Sequence, residues 1–230
     1  MIYVSLISCT PDPERTIAAA ARLSTSSVGA ADLVKKLTSK DIDRLFARML
    51  ESGHLSTFEH ASFTFAIEGI SRVTSHQLVR HRMASYTQQS QRYVSVKEVK
   101  YITPETIGKK GALESKYHDM INRCHRLYKE MIDGGVPVED ARYILPSAFE
   151  TKIVMTMNAR ELLHACSLRM CDRAQWEIVE LFEKIKVEVE KVAPRLAAEL
   201  KPKCYRLGYC DEAESCGIFP TAKEAIGKQK

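Results

Sequence analysis

From Gln77 to Tyr93 the chain reads Gln-Leu-Val-Arg-His-Arg-Met-Ala-Ser-Tyr-Thr-Gln-Gln-Ser-Gln-Arg-Tyr. This stretch holds Arg80, Arg82, Arg92 and His81 with four glutamines and no Asp or Glu, in a chain that is 27% charged. Guanidinium groups without a neighbouring carboxylate, set among amide and hydroxyl donors, suit an anion, and the planar fork of arginine suits phosphate in particular. A second cationic set follows at Arg142, Arg160, His164 and Arg169. Arg160 and His164 are four apart and share one helix face. Taken singly, these are ordinary surface cations, and Arg80 and Arg82 also fit the end of a helix, where the dipole favours positive charge. Taken together they suggest a shared anion pocket.

Other arrangements carry less chemistry. His54 and His60 flank Glu59 at a spacing that is not a zinc motif, and Cys204, Cys210 and Cys216 recur every six residues without a C-x-x-C pair, so no metal site is expected. Ser90 lacks a Gly-x-Ser-x-Gly elbow, although spacing alone leaves a Ser90–His81 hydrolase open. No Gly-x-Gly-x-x-Gly fingerprint is present, so a nucleotide cofactor would not bind in the Rossmann manner. The net charge of +5 is compatible with small acidic ligands and too weak to demand nucleic acid. A nucleic-acid-binding module built on the basic 72–100 stretch is the competing reading. Against it, aromatics are only 7% and acids return at Glu98. Seven scattered cysteines and no export signal indicate free thiols in a reducing, cytoplasmic setting, and no segment approaches the ~18 apolar residues of a membrane helix.

The elements that must position these residues are legible in outline. Met1 to Cys9 reads as a first strand, and Thr10-Pro11-Asp12-Pro13-Glu14 as the start of a helix through Leu23. A loop to Gly29 follows. Thr38 and Asp41 open a helix with Ile42, Leu45, Phe46, Met49 and Leu50 on one face, stopped by Gly53. Ala61, Phe63, Phe65 and Ile67 alternate as a strand, and Ser71 caps a short helix carrying Val73, Gln77, Leu78 and His81. From Ala84 a loop is expected, then strand-like Tyr93–Val96. A long helix covers Leu113 to Met131, a shorter one Glu139 to Leu145, and Phe149 to Met157 alternates as a strand. Asn158 with Glu161 reads as a capping box for a helix to Met170. Asp172 with Gln175 repeats the device for a helix ended by Pro194. The fold class is α+β, a mixed or antiparallel sheet with long helices. It is read as a single domain over 1–203, followed by an aperiodic tail, 204–230.

Arg80-His81-Arg82, seven residues, then Ser90 resembles the signature of the flavin-dependent thymidylate synthases. Four further segments resemble that family in order: His54 to His60, Ala141-Arg142 to Leu145-Pro146, Asn158-Ala159-Arg160, and Leu168-Arg169 with Ala174-Gln175-Trp176-Glu177-Ile178. The resemblance spans roughly residues 15 to 200. It implies conversion of deoxyuridine monophosphate (dUMP) to thymidine monophosphate (dTMP), with methylenetetrahydrofolate as one-carbon donor and FAD, reduced by NADPH, as hydride source. It also implies a homotetramer with active sites at subunit interfaces, partnering neither nucleic acid nor membrane. By position, Gln77, Arg80, Gln88, Gln89, Ser90, Gln91, Arg92, Arg142 and Arg169 would hold dUMP. Ser56, Arg80, His81, Arg82, Gln88, Asn158, Arg160 and His164 would hold FAD. Arg169 would be the catalytic residue, favouring the ionised pyrimidine, with no cysteine nucleophile. Gln88 stands where the family often has Glu, His164 where Asn is common, and Thr87 where Asn is frequent.

Overall fold

The computed structural model describes residues 1–96 and 98–227. Its elements in chain order are β1 (Tyr3–Cys9), α1 (Pro13–Leu23), α2 (Ala30–Lys36), α3 (Ser39–Ser52), a 3-10 turn (Leu55–His60), β2 (Ser62–Ser71), α4 (Arg72–Leu78), β3 (Ala84–Gln88) and α5 (Glu105–Gly108). After these come α6 (Ala112–Asp133), α7 (Val138–Ala141) with a 3-10 turn (Arg142–Ile144), β4 (Glu150–Asn158), α8 (Ala159–Arg169), α9 (Trp176–Glu190), α10 (Pro194–Glu199), α11 (Lys203–Leu207) and α12 (Ala222–Gly227). The strands form one sheet in the order β1-β2-β4-β3. The Thr64 and Thr156 hydroxyls meet at 3.0 Å, and Arg72 N–H donates to Phe149 O at 3.2 Å, so β2 and β4 run antiparallel. This is the α+β class the periodicity indicates.

The chain clusters into two compact units that interleave along the sequence. One comprises Met1–Tyr3, Ile67–Arg80 and Tyr86–Val154. The other comprises Val4–Ala66, His81–Ser85 and Met155 onward. In the first, the buried Tyr128 and Phe149 rings flank His125 at 6.2 and 6.3 Å. Gly69 has φ +71°, and a Cβ there would stand 2.4 Å from Met1 O, so only glycine lets the start of the chain lie against β2. In the second, Phe46 meets Phe58 edge-on at 5.2 Å, and Leu162, Ala165, Leu181, Phe182 and Ile185 are fully buried. Arg195 closes this core: Glu14, 6% exposed, accepts from its Nη1 and backbone N–H at 2.6 Å each.

Local signals hold where they are purely local. Thr38 and Asp41 exchange both bonds of a capping box, and Gly53 ends α3 at φ 70°. Alternation buries Phe63, Phe65 and Ile67 on β2, and Ile153, Met155 and Met157 on β4. Elsewhere the structure corrects the sequence reading. The strand lies at Ala84–Gln88, not at 93–96. Val94 N–H turns back to Ser90 O, and Tyr93 is 80% exposed, so that alternation has no sheet face to pack on. Helix α2 occupies a stretch too short and polar to announce itself. Within the Thr10–Glu14 start, Asp12 is the residue that caps α1, and Gln175 rather than Asp172 caps α9, accepting from Ile178 N–H at 3.1 Å. Pro194 starts α10 instead of ending α9, because proline costs nothing at a first helical turn. The segment after 203 is folded. Lys203 pairs with Asp211 and Glu212, Arg173 with Glu214, and Cys210 is buried on a bridge to Thr221. Residues 204–227 belong to the second unit; residues 228–230 lie outside the described ones. Among the described residues no helix is long and apolar enough to cross a membrane.

Candidate functional site

In the second unit, α8 begins where Asn158 Oδ1 accepts from Glu161 N–H at 2.9 Å, and it ends at Arg169. Helix α4 stops at Leu78, so His81 lies beyond it rather than on its face. Its ring is 4% exposed, with Phe182 edge-on at 6.1 Å and His164 at 6.0 Å. Arg169 Nε–H donates to His81 Nε2 at 3.0 Å. Arginine only donates, so Nε2 is the accepting nitrogen and the ring proton sits on Nδ1, which faces Glu161 Oε1 at 3.1 Å. Burial, then the Arg169 charge, pushes the His81 pKa down against the pull of Glu161, and the imidazole is neutral.

Beside this triad lies a cavity of about 480 Å³ lined by Asn158, Arg160, Glu161, His164, Ser167 and Arg206, with apolar walls from Leu55 and Met83. Arg160 is paired with Glu59, both about half exposed. Arg82 and Ser56 are exposed, and no ion pair engages Arg82 among the described residues. His81, Glu161 and His164 each offer a ligand atom within 4.8 Å of the others, a proximity the sequence did not announce. Both His81 nitrogens already have partners, and a cation there would face the Arg169 guanidinium. The arrangement is therefore read as a hydrogen-bonded relay. Because both nitrogens are engaged, His81 is not free to act as a base for a serine nucleophile. Cys166, fully buried on α8, has its thiol pushed far up by desolvation and is no nucleophile either.

The first unit gathers the other expected residues. Gln88 Nε2 donates to Ser75 Oγ at 2.9 Å and Thr151 Oγ1 at 3.0 Å, so its amide nitrogen is committed to the scaffold. Gln89 N–H extends the sheet to Lys152 O at 2.9 Å, and Ser90 Oγ accepts from Arg92 N–H at 3.1 Å. Gln89, Ser90 and Gln91 line a cavity of about 810 Å³ with Tyr93, Lys100 and Lys152. Arg92 is not free: its Nε and Nη2 donate to Glu139 Oε2 at 3.0 and 2.7 Å. Arg142 Nε–H donates to Glu139 O at 2.9 Å. Gln77 is half-buried and its carbonyl accepts from Arg80 N–H at 3.2 Å, while the Arg80 side chain is exposed.

Several functional candidates escaped the sequence reading. Glu161 was concealed by its capping-box position; the cap forms through its N–H, and its carboxylate goes to His81. Glu59 and Glu139 are acids brought to Arg160 and Arg92 from 101 and 47 residues away. Arg72 is half-buried, and burial followed by the Arg142 charge lowers its pKa, the mark of clustered cations. Arg206 comes from the segment read as an appended tail.

Residues 5–195 match the model of the family described as thymidylate synthase complementing protein. The chain is 46% identical over 217 residues to a flavin-dependent thymidylate synthase of Geobacter sulfurreducens, covering 93% of each chain. It is 45% identical over 222 residues to another from Pyrococcus furiosus, covering 93% of this chain and 91% of that one. A UMP/dUMP methylase, PolB, from Streptomyces cacaoi superposes with a TM-score of 0.79 at 24% identity, over 86% of this chain and 94% of that one, which shows a shared fold. With residues 5–195 matching that family model and relatives 45–46% identical over nine-tenths of the chain, the chain belongs to the flavin-dependent thymidylate synthase family.

Proposed function

We propose that this chain reductively methylates dUMP to dTMP, taking the one-carbon unit from methylenetetrahydrofolate. The observation that carries the reading is Arg169, whose guanidinium is held by the neutral His81 at 3.0 Å and has no other side-chain hydrogen bond among the described residues. A guanidinium at the uracil edge stabilises the ring ionised at nitrogen, which makes the neighbouring ring carbon nucleophilic toward the one-carbon unit without a thiolate. Gln77, Arg80, Ser90, Arg92 and Arg142 hold the nucleotide; phosphate displaces the exposed Arg92–Glu139 pair, whose own worth is about 0–1 kcal/mol. The donor set around the 480 Å³ cavity, with Asn158, Arg160 and His164 beside apolar Leu55 and Met83, fits a dinucleotide cofactor with a pyrophosphate and a flat ring system. FAD held by these residues and reduced by NADPH would supply the hydride that turns the transferred methylene into a methyl group.

The exposed Arg80 and Arg82, lacking ion-pair partners among the described residues, fit sites completed by a neighbouring copy in a homotetramer. Residues 1–203 act as the synthase domain in the cytoplasm, with 204–230 as its C-terminal segment. The test is to load the purified chain with FAD, add dUMP, methylenetetrahydrofolate and NADPH, and identify dTMP by mass. A protein that neither takes up FAD nor forms dTMP refutes the reading, and sedimentation as a monomer refutes the tetramer.

A further inference from the structure

Glu161 sits in the first turn of α8, and its surroundings are unusual. It is 9% exposed, its N–H is capped by Asn158, and its side chain reaches away from that cap to a histidine eighty residues earlier in the chain. That histidine faces Arg169, the last residue of the same helix. We propose that Glu161 is a positioning residue that acts through His81: its carboxylate fixes the Nδ1–H tautomer, so that Nε2 stays an acceptor and seats the Arg169 guanidinium for the nucleotide.

The logic follows from donor and acceptor counts. Arg169 Nε–H requires a lone pair on His81 Nε2. A neutral imidazole has one N–H, and a carboxylate, which only accepts, draws it to Nδ1. Were the proton on Nε2, two N–H groups would face each other at 3.0 Å and Arg169 would swing away. Glutamine at 161 loses this selectivity, because its NH2 can donate to Nδ1 as readily as its oxygen can accept. The single hydrogen bond fixes Nε of Arg169 and leaves both Nη groups for the substrate. A metal-bound histidine tuned by an outer carboxylate obeys the same rule; here the tuned partner is a guanidinium.

The inference rests on the catalytic role proposed for Arg169, and the experiment separates the two. In FAD-loaded enzyme labelled with 15N-histidine, His81 is assigned by loss of its signals in His81→Gln. The wild type is expected to show a pyrrole-type Nδ1 and a pyridine-type Nε2. Glu161→Gln is expected to shift the ring toward the other tautomer and lower kcat roughly ten- to hundredfold. KM for dUMP is expected to stay within about threefold, with flavin still bound and Glu161→Asp recovering part of kcat. If Glu161→Gln does not fold, Glu161→Asp is measured in its place, with a smaller loss expected. An Nε2–H or imidazolium ring in the wild type overturns the proposal. So does a variant whose kcat falls with the tautomer unchanged, or one in which neither moves. A switched tautomer with unchanged kcat overturns the link to turnover. Full activity in Arg169→Ala, whatever the tautomer, shows instead that the reading of Arg169 has failed.

Discussion

Replacing Arg169 by lysine keeps a positive charge at the end of α8 and removes the planar fork, so it isolates what geometry contributes. Arginine donates from Nε to His81 at 3.0 Å while its two Nη groups extend beyond that bond. Lysine has one ammonium on a flexible stem and cannot bond His81 and address a pyrimidine edge together. Losing one well-placed donor to developing charge costs about 2.7–4 kcal/mol, a factor of roughly 10² to 10³ in kcat. The folded state loses less. His81 Nε2 becomes an unsatisfied buried acceptor, worth about 1–3 kcal/mol, and each kcal/mol shifts the melting temperature of a chain this size by about 2–4 °C. The assay is dTMP formation at saturating dUMP and folate, with FAD absorbance and thermal melting recorded on the same preparation. We expect kcat down at least a hundredfold, flavin retained, and the melting temperature lowered by about 12 °C or less. A lysine variant within threefold of the wild type would show that charge alone suffices and would refute the geometric argument.

The remaining predictions concern pH and the scaffold. His81, facing Arg169, Glu161 and His164, has a folded pKa below its unfolded value of about 6.5. Below that pH the unfolded chain binds a proton that the folded chain excludes, so stability falls on acidification and the loss levels off once pH passes the folded pKa. Urea unfolding at pH 7.5 and 5.5 should show a steeper loss for the wild type than for His81→Gln; equal slopes would exclude His81 as the source. Gly69→Ala places a Cβ 2.4 Å from Met1 O at φ +71° and should cost roughly 2–4 kcal/mol in the same assay, whereas a loss under about 0.5 would mean that the chain start yields freely. Arg195→Ala strips Glu14 of its ion pair while leaving the backbone N–H bonds from Arg195 and Leu196 at 2.6 and 3.2 Å. It should destabilise the protein by roughly 2–3 kcal/mol, less than a wholly uncompensated buried charge, and Glu14→Gln should cost less than Glu14→Ala.

The sequence by itself determined whatever depends on neighbours a few residues apart. The Thr38–Asp41 box, the Gly53 stop and the faces of β2 and β4 are set by side chains within one turn or one pleat, where spacing maps directly onto space. The ordered motifs likewise carry the family resemblance within the sequence itself. Period-two alternation at Tyr93–Val96 misled, because alternation becomes a strand only where a partner strand and a buried face exist. Partnership was also beyond the sequence. The stretch without acids around Arg92 gained Glu139, Arg160 gained Glu59, and the Glu161 side chain, its N–H still capped by Asn158, turned to hold His81. These pairs span 47 to 101 residues, and a carboxylate's choice among several cations is decided by burial and distance, which only the folded chain fixes. The sequence therefore supplied the candidate anion-binding residues and the arginine proposed for the chemistry. The tertiary structure decided which of them stand ready and which hold an acid, and it set a buried histidine between a carboxylate and that arginine.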